Sequence, residues 1–353
     1  MSKSDRRSFL KNVTLGSLAA SAGFALPTIG WTDFACAQAQ NDQNPPLPPN
    51  EAALRQIKAE PWLKVDDRNV FLKGMAFDRK GNLTVMAAYP GPDPSKGLAG
   101  RTDRSILSIS PDKKITSLIA QHSYRFTDHV IHKDGRIFIA CLSGELLVAN
   151  GDGSDLKPVS VRPHTDSIAL SDLIFDSKGN LYVTNFIGSV SKPTGAVYRW
   201  SEDFKTVDAF APNLVTPNGI AFSPDEKSLW VACSIAKQLF HITLDGARGA
   251  VTKAENVYTL TGPGGDGIRV DTRGNVYLAM NFQGRLLVFD KTGKPIATIL
   301  MPGRDSGELL STTNLEFKPG TDEAYAVAAG DKGGTWIYRF QGLATGVPIY
   351  SHQ

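Results

Sequence analysis

Six polar or charged residues recur at nearly even spacing along this chain of 353 residues: Lys73, Thr127, Ser171, Asn218, Asp266 and Thr313. The intervals between them are 54, 44, 47, 48 and 47 residues. Each opens a similar phrase, in which an apolar run leads through a tight turn into a second apolar run. Asp128, Asp172 and Asn314 stand directly after three of them. An ammonium, carboxylates, amides and hydroxyls, each at the entry of an otherwise apolar strand, form a binding site for a small polar ligand if the fold gathers them at one place.

Other constellations carry less. His129 and His132 form an H-x-x-H pair, but odd spacing on a strand sends the two rings to opposite faces, which is poor geometry for zinc. His129, next to Asp128 at a strand entry, is still a candidate to touch substrate. "GPGGDG" at 262–267 imitates a dinucleotide-binding glycine loop, yet it leads into a strand rather than out of one into a helix. No G-x-S-x-G elbow occurs anywhere in the sequence, which argues against the usual α/β serine hydrolases. The formal net charge is +3 with 21% charged residues, and no basic block interleaved with aromatics is present, so nucleic acid is not an expected partner.

The elements that must position the six residues follow from the phrases themselves. "KGMAFDRKGNLTVMA", "TDHVIHKDGRIFIAC", "SDLIFDSKGNLYVTN", "NGIAFSPDEKSLWVAC", "DGIRVDTRGNVYLAM" and "TNLEFKPGTDEAYAVA" each read as a β-hairpin. Most are followed by a further hairpin. Four short strands in 40–50 residues is the period of a propeller blade. The expected fold is therefore all-β, a six-bladed β-propeller of four-stranded blades forming one domain over residues 61–353. Asp78, Asp176 and Asp271 enter the turns "DRKGN", "DSKGN" and "DTRGN" and are read as turn formers, with Gly at the position that wants positive φ. A helix is expected only around "NEAALRQIKAE". Cys141 and Cys233 hold the same place in two blades that are not neighbours and are read as buried small hydrophobes. In such a fold the first strand of every blade lines the central channel, so the six opening residues ring one mouth.

The first 39 residues read as an export signal. Arg6 and Arg7 precede Phe9, Leu10 and Lys11, a short apolar stretch follows, and Ala35/Ala37 or Ala37/Ala39 suit cleavage. This is a twin-arginine pattern of bacteria. The mature protein is expected in the periplasm, with residues 40–60 as linker and N-terminal extension and no membrane anchor after signal removal.

"PNGIAFSPDEKSLWVA" at 217–232, "GDGIRVDTRGNVYLA" at 265–279 and the weaker "SDLIFDSKGNLYVT" at 171–184 resemble the family of senescence marker protein 30, gluconolactonase and luciferin-regenerating enzyme. The likeness covers nearly all of the mature chain. It implies one divalent metal, often calcium, at the channel mouth. The matching ligands are Asn218 and Asp266; Asp172 matches the Asp of a third-blade Asn-Asp pair, while Ser171 stands where its Asn is expected. A first-blade Glu that the family uses is absent, and "LKGMAF" puts Lys73 there. Either Lys73 turns away and a metal survives with more water, or its ammonium pairs with Asp266 in place of the metal.

Two functions are consistent with these residues. One is a metal-assisted lactone hydrolase acting on a sugar lactone or a related small molecule. In it Asp266 serves as ligand and base, Asn218 helps to hold the ion, and Ser171, Asp172, Lys73, Asp128 and His129 shape the substrate pocket. The other is a propeller without catalysis that binds a small ligand or a protein partner, with Lys73 paired to Asp266. A hydrolase or lyase acting on a phosphoester or alkaloid-like substrate is a weaker third, since one fold hosts many chemistries.

Overall fold

In the computed structural model, residues 46–91, 101, 103–165 and 167–353 are described. Six antiparallel sheets succeed one another in chain order, and the sequence hairpins are their inner halves. Blades 1 to 4 take their strands from 71–122, 126–158, 170–214 and 217–259. Blade 5 uses 265–300 and blade 6 uses 311–341. The innermost strands are Phe71–Phe77, Phe126–Ile131, Leu170–Phe175, Pro217–Phe222, Gly265–Val270 and Ser311–Phe317. Each packs on the next, and the last returns to the first. The chain is a six-bladed β-propeller.

The ring is closed by the segment that precedes blade 1. Glu60–Asp66 is the outer strand of blade 6, pairing antiparallel with Gly334–Gln341. Arg55–Lys58 adds a fifth strand to blade 5, parallel to Pro295–Leu300. The helix expected around "NEAALRQIKAE" is a single turn, Pro49–Ala52, after which the chain becomes strand. Alternation in "RQIK" and the open edge of blade 5 outweigh the helix propensity of the preceding alanines, because pairing satisfies a row of backbone groups that the edge otherwise leaves to water.

Six apolar clusters fill the six inter-blade interfaces. Leu173, Val183 and Trp200 of blade 3, for instance, meet Phe138 and Ala140 of blade 2, while Ile220, Leu229 and Val231 of blade 4 meet Tyr182 and Val197 of blade 3. Fully burying one such side chain contributes roughly 1.5–3 kcal/mol, so these clusters dominate the stability of the ring. Cys141 and Cys233 are free and buried, as the repeat alignment expects. The turn aspartates also behave as read: Asp176 Oδ1 accepts the backbone N–H groups of Lys178 (3.0 Å) and Asn180 (2.9 Å), and its Oδ2 accepts Asn180 Nδ2 (2.7 Å). Asp78 and Asp271 repeat the arrangement.

Candidate functional site

All six inner strands carry a register irregularity at the same level. It falls between Lys73 and Met75, Phe126 and Asp128, Leu170 and Leu173, Pro217 and Ile220, Gly265 and Ile268, and Thr312 and Leu315. A bulge re-aims side chains and breaks the strict alternation of a strand. Here it falls at the opening residues, each of which is followed by a second polar residue or by Gly.

The glycines leave room for the neighbouring blade's side chain or backbone. Gly74 has φ +60, and a Cβ there would lie 2.4 Å from Asp128 Oδ1. Asp128 therefore reaches past blade 1, where its Oδ2 accepts Asn314 Nδ2 of blade 6 at 3.1 Å. A Cβ on Gly219 would lie 2.1 Å from the Asp266 carbonyl oxygen, and one on Gly267 would lie 2.8 Å from Asn314 Nδ2. Blades 1, 4 and 5 supply the glycines; blades 2, 3 and 6 supply Asp128, Asp172 and Asn314.

At the mouth the structure brings four of the sequence candidates to one point. Lys73 Nζ donates to Asn218 Oδ1 at 2.6 Å and to Ser171 Oγ at 2.9 Å, and lies 3.0 Å from Asp266 Oδ1. Ser171 Oγ also donates to Asn218 Oδ1 at 2.7 Å. The Lys73 side chain is 0% exposed and that of Asp266 1%. Burial pushes the Asp266 carboxyl above the ordinary carboxylate range; the Lys73 ammonium opposes this, and the Asp172 carboxylate adds to it.

The other candidates lie deeper or serve the backbone. Asp172 accepts the N–H groups of Leu173 (2.8 Å) and, from the next blade, Ile220 (3.1 Å). Asp128 is fully buried, and burial together with the Asp172 charge raises its pKa well above the usual range. Thr127 and Thr313 donate to the carbonyls of Leu170 and Leu72 in adjoining blades, which ties them into the ring wall. His129 meets Thr84 Oγ1 of blade 1 through Nε2 at 2.7 Å, and burial lowers its pKa to about 3, so the imidazole is neutral. His132 packs instead against Phe138, Phe175 and Tyr350, so the two histidines separate as their spacing predicts.

Two further residues complete the mouth that reading the first strands alone misses. Asn281 Nδ2 donates to Asp266 Oδ2 at 3.3 Å, and Ser234 Oγ accepts Asn218 Nδ2 at 3.1 Å. Each follows the last residue of a second strand, Met280 or Cys233. Antiparallel pairing returns that end to the level of the opening residue, and this is the signal that finds them. Ser311, partly exposed, donates to Asn281 Oδ1 at 3.1 Å and links Asp266 outward toward solvent.

A cavity of about 420 Å³ opens at the opposite mouth, among the far ends of the inner strands and the C-terminal tail. Its walls are mostly apolar but include Asp225, Glu226 and Arg248, and also Arg269 and Glu316, which pair at 2.7 Å. Burial works against the charge on Arg269, but the Glu316, Asp172 and Asp128 carboxylates outweigh it and hold the guanidinium cationic. The chemistry of the polar ring and this apolar cavity are at different ends of the channel.

These observations match one known group. A model of the SMP-30/gluconolactonase/LRE-like region matches residues 102–307. The chain is 38% identical over 317 residues to lactonase drp35 of Staphylococcus saprophyticus, covering 86% of this chain and 93% of that one. The protein belongs to the SMP-30/gluconolactonase/LRE-like family. Solved structures similar in fold include a gluconolactonase from Xanthomonas campestris, with TM-score 0.63, 18% identity and coverage of 79% of this chain and 89% of that one. Another is the calcium-binding protein regucalcin of Agrobacterium tumefaciens, with TM-score 0.63, 20% identity and coverage of 84% and 99%. At these identities the structures speak to the fold alone.

A divalent metal, which the family resemblance implies, does not fit the ring as its residues stand. The oxygens of Asn218, Ser171 and Asp266 already surround an ammonium. Among the described residues no three His, Cys, Asp or Glu side chains gather closely enough to hold an ion. A divalent cation about 4 Å from that ammonium would meet a repulsion on the order of 8 kcal/mol at an effective dielectric near 20.

Proposed function

We propose that the protein hydrolyses small lactones, of sugar or related type, at the ringed mouth of the channel. One observation carries the reading: a carboxylate, an amide and a hydroxyl from three blades lie within 3.0 Å of an ammonium from a fourth, on a chain 38% identical to a lactonase. Asp266 is the base. Its pKa, raised by burial, brings it closer to the working range of a general base than an exposed carboxylate. It takes a proton from water as the water oxygen bonds to the lactone carbonyl carbon, and the proton passes to the ring oxygen as the carbon–oxygen bond breaks. The Lys73 charge favours the oxyanion formed on the way. Asn218, Ser171 and Asn281 hold the two charged groups in register. Following acidification of a weakly buffered solution across a panel of lactones tests this. Turnover of at least one lactone by the wild type, lost in Asp266→Asn, is expected.

The Lys73–Asp266 contact also favours a second reading, a propeller that binds a small ligand without turnover, since a buried ion pair needs no reaction to account for it. A lactone that raises the melting temperature of the wild type but is never hydrolysed would select this reading.

Export to the periplasm is part of the proposal. It rests on Arg6, Arg7 and the residues after them, which lie outside the described residues. Replacing both arginines by Lys is expected to leave the precursor in the cytoplasm; unchanged accumulation in the periplasmic fraction of fractionated cells would remove this part.

A further inference from the structure

We infer that Lys73 is a built-in cation, so that the ring works without a divalent metal and accepts one only when that ammonium is taken away. The inference builds on the lactone-hydrolase reading in locating the site, but its test does not depend on turnover.

Three observations carry it. The first is position. Lys73 arises from blade 1 and places Nζ within 3.0 Å of oxygens on blades 3, 4 and 5, namely Ser171 Oγ, Asn218 Oδ1 and Asp266 Oδ1. Oxygens from three blades facing a common point make a cation site, and the ammonium is the cation at that point. Its contacts to Asn218 and Ser171 are hydrogen bonds, and its contact to Asp266 is an ion pair.

The second is the charge of the donor set. A hard divalent cation is held by six to eight oxygens, usually with several carboxylates among them. The three oxygens named include one carboxylate, fewer than such an ion usually draws on. The nearby Asp172 is engaged by backbone N–H groups, those of Leu173 and Ile220. The deeper Asp128 is occupied by the His129 N–H and by Asn314. Each oxygen of these two carboxylates thus already accepts an N–H from the protein.

The third is the way the backbone fixes the side chain. Lys73 sits at the bulge of the first inner strand, followed by Gly74 at φ +60. Asp128 fills the space over Gly74, so the blade 1 backbone beside Lys73 is packed closely against blade 2. The residue is 0% exposed, so the ammonium occupies the ring in the folded protein rather than pointing into solvent.

The test is calorimetric titration of Ca²⁺ and Mn²⁺ into chelator-treated wild type, Lys73→Glu and Lys73→Gln, with thermal melts of each with and without ion. The wild type is expected to bind neither ion stoichiometrically, and its melting temperature should not move with Ca²⁺. Lys73→Glu is expected to bind one ion per chain, at least 100-fold more tightly than wild type, with a melt raised by several degrees on adding ion. Lys73→Gln serves if the Glu variant does not fold, and is expected to bind more weakly than Glu but more tightly than wild type. Stoichiometric binding to the wild type that disappears in Asp266→Asn would overturn the inference. Binding by none of the variants would also overturn it, because the ammonium would then not be what keeps an ion out. Absence of lactonase activity with this metal pattern intact would remove the functional reading alone.

Discussion

Asp266→Asn is expected to abolish turnover and to lower the melting temperature in the same protein. In the proposed mechanism the catalytic loss comes from removing the base; general base catalysis contributes about 10²–10⁴-fold, so a residual rate below about 1% is expected. The stability loss has a different cause. Asn is nearly the same size as Asp, so packing is kept, but the Lys73 ammonium, itself 0% exposed, loses its counter-charge. Breaking a buried pair by removing one partner costs about 3–5 kcal/mol, because the remaining charge stays out of water. Adding Lys73→Met to the Asn variant separates the two effects. With both charges gone, the melting temperature should recover most of the loss while activity stays absent, since coupled residues give non-additive cycles. The pH profile gives an independent check. A base must be ionised, so kcat/KM falls as pH falls through its pKa. Burial raises that pKa, and the acid limb should lie above the ordinary carboxylate range. An Asn variant that turns over lactone at the wild-type rate would rule Asp266 out as the base.

The same residues show what could be read from sequence and what could not. Blade number, the turn aspartates and the identity of the ring residues are local properties, repeated six times, and a repeated local signal survives noise in any one copy. Lys73 was also legible as a departure, because five blades open on hydroxyls, an amide or a carboxylate and one opens on an ammonium. Whether it turned away or paired with Asp266 could not be decided, since 193 residues separate the two and nothing local records which side of the channel a side chain faces. Asn281 and Ser234 escaped for a related reason. They follow second strands, and only the hairpin geometry returns them to the mouth. The paired bulges hid another piece: Asp128 and Asp172 read as ring members, yet the shift in register directs them into the layer beneath, onto Asn314 and onto the backbone of Ile220. The segment before blade 1 misled most. "NEAALRQIKAE" has helical composition, but an unpaired edge on blade 5 was waiting for its second half.

That segment carries the largest expected effect on stability away from the mouth. Glu51, in the single helical turn, places Oε2 2.6 Å from Arg285 Nη2 of blade 5, and both side chains are 0% exposed. Glu51 Oε1 accepts the Tyr258 hydroxyl of blade 4 at 2.8 Å. Arg285 is oriented from its other side by Gln283 Oε1, at 3.1 Å from Nε and 2.8 Å from Nη2. Burial pushes the Arg285 pKa down while Glu51 holds it up, so the carboxylate is what keeps the guanidinium tolerable inside the protein. Glu51→Ala should therefore cost about 3–5 kcal/mol, as for other buried pairs broken on one side. It should also loosen Arg55–Lys58, whose place as the fifth strand of blade 5 begins four residues after Glu51. Two measurements distinguish this from a general loss of packing. Limited proteolysis should cut first between residues 49 and 60, before any blade is attacked. Glu51→Met combined with Arg285→Met should restore much of the melting temperature, since it removes both charges and keeps apolar volume. The wild-type pair, shielded from counterions, should keep its contribution at high salt, unlike the exposed Arg68–Asp66 pair, whose contribution falls with ionic strength. A melting temperature for Glu51→Ala within about 1 °C of wild type would mean that blades 4 and 5 hold their edge without the latch, because even 1 kcal/mol shifts a domain of 150–250 residues by roughly 2–4 °C.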